Sequence, residues 1–204
     1  VTQDINASQD CRELAGEWRE KALAAGGILV PKSSAESQPT PVTSSEFEDA
    51  LLEFSRNISS GQRMAFWRKD KNEKKAEDKH KWVERPEQRA KELLQAFLTG
   101  KFGSRVEVLE EIAAGAGRID LYLVFPSGSR MIVELKMLGR GYSSTWAYSG
   151  EDQILHYMQN KRSHLGFLVI FDARKHDFDK RPDTRPPAPT TLRVVSVDVR
   201  PEVK

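Results

Sequence analysis

Charged side chains sit inside two runs that otherwise have the composition of buried β-strands, and this conflict constrains the fold more than any bulk property. The runs are Gly117-Arg118-Ile119-Asp120-Leu121-Tyr122-Leu123-Val124-Phe125 and Met131-Ile132-Val133-Glu134-Leu135-Lys136-Met137. Pro126-Ser127-Gly128-Ser129 between them is turn chemistry, which predicts two adjacent antiparallel strands. Alternation puts Glu134 and Lys136 on the face of Ile132, and Val133, Leu135 and Met137 on the opposite, apolar face. A charge buried there without a partner or a metal is too costly to persist.

A divalent cation is one such partner for Asp120 and Glu134. Mg²⁺ takes oxygen ligands, keeps several waters and is commonly held by one or two carboxylates together with phosphate oxygens. In that setting a water is activated and phosphate charge is offset, while Lys136 orients the water or neutralises the transition state. The competing reading is a solvated sheet edge on which Lys136 simply pairs with Glu134.

Asp120, thirteen intervening residues and then Glu134-Leu135-Lys136 resembles the motif of the PD-(D/E)XK nuclease superfamily. The resemblance spans about Arg85 to Arg174, a little under half the chain. It implies an α/β, restriction-endonuclease-like core of helix, three-stranded meander, helix and strand, followed here by one further strand. It also implies Mg²⁺ or Mn²⁺ at Asp120 and Glu134, with Lys136 as the catalytic lysine.

The flanking segments supply the expected elements. Pro86 suits a first helical position, Ala90, Leu93, Leu94, Phe97 and Leu98 follow helical spacing, and Gly100 marks the expected end. At ~100° per residue Glu87 falls within roughly 50° of the centre of that stripe, and Glu92 nearly opposite. Glu87 is therefore the candidate for the acidic residue that the superfamily often places on this helix near the metal; alternatively it is a first-turn acid favoured by the helix dipole. A first strand is expected over 105–112, with Glu110 and Glu111 as further acids near its end. Gly115-Ala116-Gly117-Arg118 suits a close reversal into the Asp120 strand.

A second helix is expected to open at Ser149-Gly150-Glu151-Asp152, with Gln153 and Tyr157 four apart on one face. Gln-x-x-x-Tyr after an E-x-K resembles the motif of the exonuclease-like branch of the superfamily. That resemblance implies Gln153 close to the catalytic centre and Tyr157 approaching the nucleic acid; Arg118 and Arg140 are the other candidates for nucleic-acid contact. A plain surface hydrogen bond between Gln153 and Tyr157 remains the alternative, as does an ion pair for Arg118. His156 falls on another face. Residues 166–172 read as a central strand, 180–191, with four prolines, as a loop, and 192–199 as an edge strand.

The rest of the chain bounds the function less tightly. Its 204 residues divide into a helical appendage over 1–84 and the nuclease-like domain over 85–204. In the appendage Cys11, Leu14, Ala15, Trp18, Ala22 and Leu23 have helical spacing, 31–44 is a Ser/Thr/Pro-rich linker, and Ser45-Glu46-Phe47-Glu48 has the form of a capping box opening a second helix. These helices pack either on the nuclease-like core or on a neighbouring domain. From Arg63 to Lys91 eleven Lys/Arg stand against six acids, in a chain of formal net charge +2. That segment suits either a phosphate backbone or a solvated mixed-charge helix, and Trp67 and Trp82 beside it suit base stacking or core packing. One cysteine excludes an internal disulfide, and neither a membrane span nor a signal-peptide pattern is visible, which favours a cytoplasmic chain with no membrane partner. Val1 in place of an initiator methionine reads as a piece excised from a longer protein.

The expectation is thus a metal-dependent nuclease domain that hydrolyses phosphodiester bonds, DNA preferred, with a homodimer open and other domains of a longer defence or repair protein as partners. The alternative is a nuclease-like fold without catalysis that binds nucleic acid or assembles with other proteins.

Overall fold

The computed structural model describes residues 40–69, 80–114, 117–174 and 191–201, all within a compact unit running from Thr40 to Lys204. Helix α1 (Ser44–Asn57) is followed by a short two-stranded ribbon, β1 (Trp67–Lys69) and β2 (His80–Trp82), and by helix α2 (Pro86–Phe102). Strands β3 (Glu107–Ala114), β4 (Gly117–Val124) and β5 (Arg130–Leu138) form an antiparallel meander. Helix α3 (Ser144–Lys161) then crosses to β6 (Leu165–Asp172), which runs parallel to β5, and β7 (Leu192–Asp198) adds a parallel edge strand. The sheet is mixed and five-stranded in the order β3-β4-β5-β6-β7, and the chain is α/β.

Alternation along the strands sorts the core onto the two faces of the sheet. One face carries Leu121, Leu123, Val133, Leu135, Met137, Phe167, Val169 and Phe171, covered by Phe47 and Phe54 of α1 and by Ala90, Leu94 and Leu98 of α2. The other carries Tyr122, Ile132, Leu138, Leu168 and Ile170, and, beyond the break in pairing at Asp120 where alternation fails, Ile119, beneath Tyr148, Ile154, Tyr157 and Met158 of α3. Each fully buried side chain of this kind is worth ~1.5–3 kcal/mol of transfer free energy. The face shared by Ile132, Glu134 and Lys136 is the one α3 covers, so the charges lie beneath a helix and not on a solvated edge. Among the described residues no helix is long and apolar enough to cross a membrane.

Several element ends differ from the sequence reading. Helix α1 opens at Ser44, because Thr43 accepts the Glu46 N–H at 3.1 Å and so takes the cap position two residues earlier than expected. Its packing on the sheet crosses the 84/85 division drawn from sequence, and Val42, in the last part of the Ser/Thr/Pro-rich stretch, is buried. Helix α2 runs through Gly100 and stops at Gly103, whose φ of 54° suits glycine. Strand β3 starts at Glu107 because Gly103–Arg105 form a 3₁₀ turn. Helix α3 begins not at Ser149 but at Ser144, because Ser143 accepts the Trp146 N–H at 3.1 Å. Glu151 and Asp152 consequently lie in mid-helix and not in the first turn. The segments expected as the first helix, the linker up to residue 39, the Gly115-Ala116 part of the reversal and the loop over 180–190 lie outside the described residues, as does 70–79 of the charged stretch.

Trp67 and Trp82 pack rather than present free faces. Their rings stack at 4.2 Å, the Trp67 indole donates to the Val199 carbonyl at 2.6 Å, and the Trp82 indole to that of Gly139 at 3.3 Å. The β1–β2 ribbon is pinned by the Trp82 bond to the turn that follows β5 and by the Trp67 bond to the chain just after β7.

Candidate active site

The site forms where β4 leaves β5. Their ladder pairs Leu121 with Val133 through to Val124 with Arg130, and goes no further toward Asp120. Strand β5 continues to Leu138 regardless, so alternate backbone N–H groups on its β4 side lack a strand partner. Side chains take their place. The Leu135 N–H donates to Asp120 Oδ2 at 2.8 Å, and the Met137 N–H acts on the Glu87 carboxylate. The neighbouring ladder is interrupted at the same level, since β3 pairs with β4 at Glu110–Leu121 and Ile112–Ile119 but not at Glu111–Asp120, and Glu111 has a φ of 50°. Asp120 therefore stands in a local opening of the sheet.

On β5, Lys136 Nζ lies 2.8 Å from Glu134 Oε1, with side-chain exposures of 7% and 4%. Burial pushes the Glu134 carboxyl up to about 7; Asp120 and Glu87 push the same way and Lys136 opposes them. Asp120 is also raised, chiefly by burial, with the Leu135 N–H and Lys136 acting against it. Glu87 is raised by burial and by Asp120, while Lys136, the Met137 N–H and the Trp146 side chain lower it. Desolvation alone lowers Lys136, yet the carboxylates of Glu134, Asp120 and Glu87 outweigh it and the ammonium is held charged. Three acids around one lysine leave negative charge in excess, so near neutrality the cluster retains a proton that a cation would displace.

The donor atoms fit a hard divalent cation. Glu134 Oε2, Glu87 Oε1 and Gln153 Oε1 are buried oxygens without a hydrogen-bond partner, and buried acceptors are ordinarily satisfied. Among the described residues no three His, Cys, Asp or Glu side chains are grouped so as to hold a metal ion by themselves.

Helix α3 lines the other side of the cluster. Gly150 approaches so closely that a Cβ there would lie 2.6 Å from Leu168 Cδ1 and 3.2 Å from Lys136 Cγ. Gln153 follows one turn later and Tyr157 one turn beyond, on the same face. Tyr157 is buried, its hydroxyl lies close against Gly117, and its pKa is raised by burial and by Glu134. It is a wall of the cluster rather than an exposed contact. Arg118 is exposed and pairs with Glu111 at 3.2 Å. Arg140, with a φ of 51°, donates to the His80 carbonyl at 3.3 Å and lies over the Trp67 ring at 5.6 Å, which makes it a clamp on the ribbon. His156 is exposed and bonded to Asn160. Glu92 is exposed beside Arg89, on the side of α2 away from the cluster.

Two neighbours of the site escaped the sequence reading. Lys91 is buried, 2.6 Å from Glu111 and 3.5 Å from Glu110, and its charge acts on Asp120. Its position four residues after Glu87, on the same helix face, was the available signal. Those pairings assign Glu110 and Glu111 to Lys91, which holds the Glu111 carboxyl below its usual range. Trp146 is the second neighbour, with its ring 5.3 Å from Lys136 Nζ and its side chain acting on Glu87. A cavity of about 300 Å³ opens at Asp120 between Arg85, Glu87, Lys91, Glu111 and Tyr142. No family model, curated protein or solved structure matches the chain.

Proposed function

We propose that this chain is a metal-dependent nuclease domain of the PD-(D/E)XK type, with a restriction-endonuclease-like core, that hydrolyses phosphodiester bonds and prefers DNA. The observation that carries the reading is the parting of β4 from β5, which sets the half-buried Asp120 beside the buried Glu134, with orphaned oxygen on Glu134 and Lys136 alongside. Charges in that position destabilise a fold, and function is the usual reason for keeping them.

In this reading Asp120 and Glu134 hold Mg²⁺ or Mn²⁺, with Glu87 and Gln153 as the further oxygen donors. When bound, the cation supplies Lewis-acid stabilisation of phosphate charge and a lowered pKa for water. Asp120 is kept in orientation by the Leu135 N–H, so its free oxygen is aimed before anything binds. Lys136, anchored by Glu134, places a fixed positive charge beside the phosphorus and orients the attacking water. The stem of Lys136 is held by Gly150 and Leu168, which limits its wandering. Lys91 offsets the charge of Asp120 from the cavity side. A role as the effector of a larger defence or repair protein fits such an activity.

Circular DNA, linear DNA and RNA, each incubated with and without Mg²⁺, test the proposal. Mg²⁺-dependent loss of DNA, faster than loss of RNA, is expected. Nucleic-acid binding without loss of any substrate would replace this reading by that of a non-cleaving binding module.

A further inference from the structure

We infer that Trp146 is a stacking platform for an unpaired nucleobase next to the reacting phosphate, so that the domain prefers single-stranded or frayed nucleic acid over continuous duplex. The inference rests on the nuclease reading and names the substrate of that same site. Trp146 is 49% exposed, and of the exposed large apolar side chains among the described residues it alone adjoins the charged cluster; Leu52 lies on α1 and Met64 in the turn before β1. The stacking candidates suggested by sequence, Trp67 and Trp82, spend their faces on each other.

The Trp146 backbone is fixed in advance. Its N–H donates to Ser143 Oγ at 3.1 Å and its carbonyl accepts from Ser149 Oγ at 2.7 Å. Lys136 Nζ lies 5.3 Å from the centroid of its ring. A phosphate brought to Lys136 therefore leaves the base of the same or the adjoining nucleotide beside the indole. An ordered aromatic face loses little freedom on binding, and every base offers a π-face to it. A base inside a duplex is already stacked on both sides and would have to be extruded first.

The test is binding of a fluorescently labelled single-stranded deoxyoligonucleotide and of its blunt duplex, by anisotropy in EDTA, to the full chain and to Trp146→Ala and Trp146→Phe. Trp146→Ala is expected to weaken single-strand binding roughly 5- to 100-fold and to leave duplex binding nearly unchanged. Trp146→Phe keeps a ring but no N–H, and is expected to restore most of the loss. Equal weakening of strand and duplex, a Phe variant as weak as Ala, or a change of oligomeric state in Trp146→Ala would overturn the inference. So would parental single-strand affinity in Trp146→Ala while the parent still cleaves in an Asp120-dependent way, and that outcome leaves the nuclease reading standing. Absence of both binding and cleavage in the parent would remove the two together.

Discussion

The Leu135 N–H donates to Asp120 Oδ2 at 2.8 Å, so the peptide lying between Glu134 and Lys136 is the group that orients Asp120. One backbone interruption thereby links the three charges: β4 turns away, a donor on β5 is freed, and the acid on β4 satisfies it while keeping its other oxygen for a ligand. The Met137 N–H, two residues further along β5, lowers the pKa of Glu87 on α2. Carboxylates standing in for a missing strand satisfy the backbone and concentrate negative charge in one act.

That concentration should be visible as instability. Glu134 carries a pKa of about 7 against an ordinary 4.5, so the folded state binds protons that the unfolded chain has released. The stabilisation this gives is fully present below pH 4.5 and is lost as pH rises through about 7. Glu134→Gln removes the titration and still accepts from Lys136. In EDTA, the variant should match the parent near pH 4.5 and exceed it in stability by up to ~3 kcal/mol at pH 8. Denaturant melts at both values check this, and a gap that does not widen with pH contradicts it.

Cleavage should be linked to the release of a proton. A cation displaces the proton held at Glu134, so at fixed Mg²⁺ the rate should fall as pH drops below about 7. Tenfold more Mg²⁺ should move the midpoint downward, toward one pH unit for a single displaced proton. A midpoint indifferent to Mg²⁺ would separate the titration from the metal.

Glu87 and Glu92 give a paired control on one helix. Glu87→Gln should raise the Mg²⁺ concentration needed for half-maximal cleavage, because a buried oxygen beside Asp120 and Lys136 loses its charge. Glu92→Gln, exposed beside Arg89, should titrate as the parent does. Equal effects of the two would remove Glu87 from the site.

Two helix glycines should respond with opposite sign. Gly100 has open space where a Cβ would go, so Gly100→Ala should stabilise by ~0.5–1 kcal/mol through helix propensity. In Gly150→Ala the new methyl meets Leu168 and the Lys136 stem, and a net loss of ~1–3 kcal/mol together with slower cleavage is expected. Thermal melts and initial rates of both variants decide it. A stabilised, fully active Gly150→Ala would show that the close approach does not set the lysine.

The charged cluster was legible in the sequence because strand periodicity fixes side-chain faces, and a charge in phase with a buried face is a visible anomaly. Glu87 was legible by the same means at helical period. Helix starts were not: Thr43 and Ser143 lie among other hydroxyl residues, each able to cap, and tertiary packing selects among them. Gly100 reads as a stop, yet an exposed glycine costs less than the packing that Phe102 gains two residues later. Lys91 was absorbed into a basic segment, although its spacing from Glu87 could have singled it out. Nothing local distinguishes Trp146 from a core tryptophan, because its exposure depends on where the first turn of α3 meets β5.

The most direct measurement is the Mg²⁺-dependent cleavage rate of linear DNA by the parent, Asp120→Ala, Glu134→Ala and Lys136→Ala, with melts run alongside to confirm folding. Cleavage by the parent and its loss in all three folded variants, by at least ~10²-fold, is the predicted result. Parental rates in folded Glu134→Ala would contradict the account, because among the described residues Glu134 alone both pairs with Lys136, through Oε1, and presents an orphaned oxygen, Oε2.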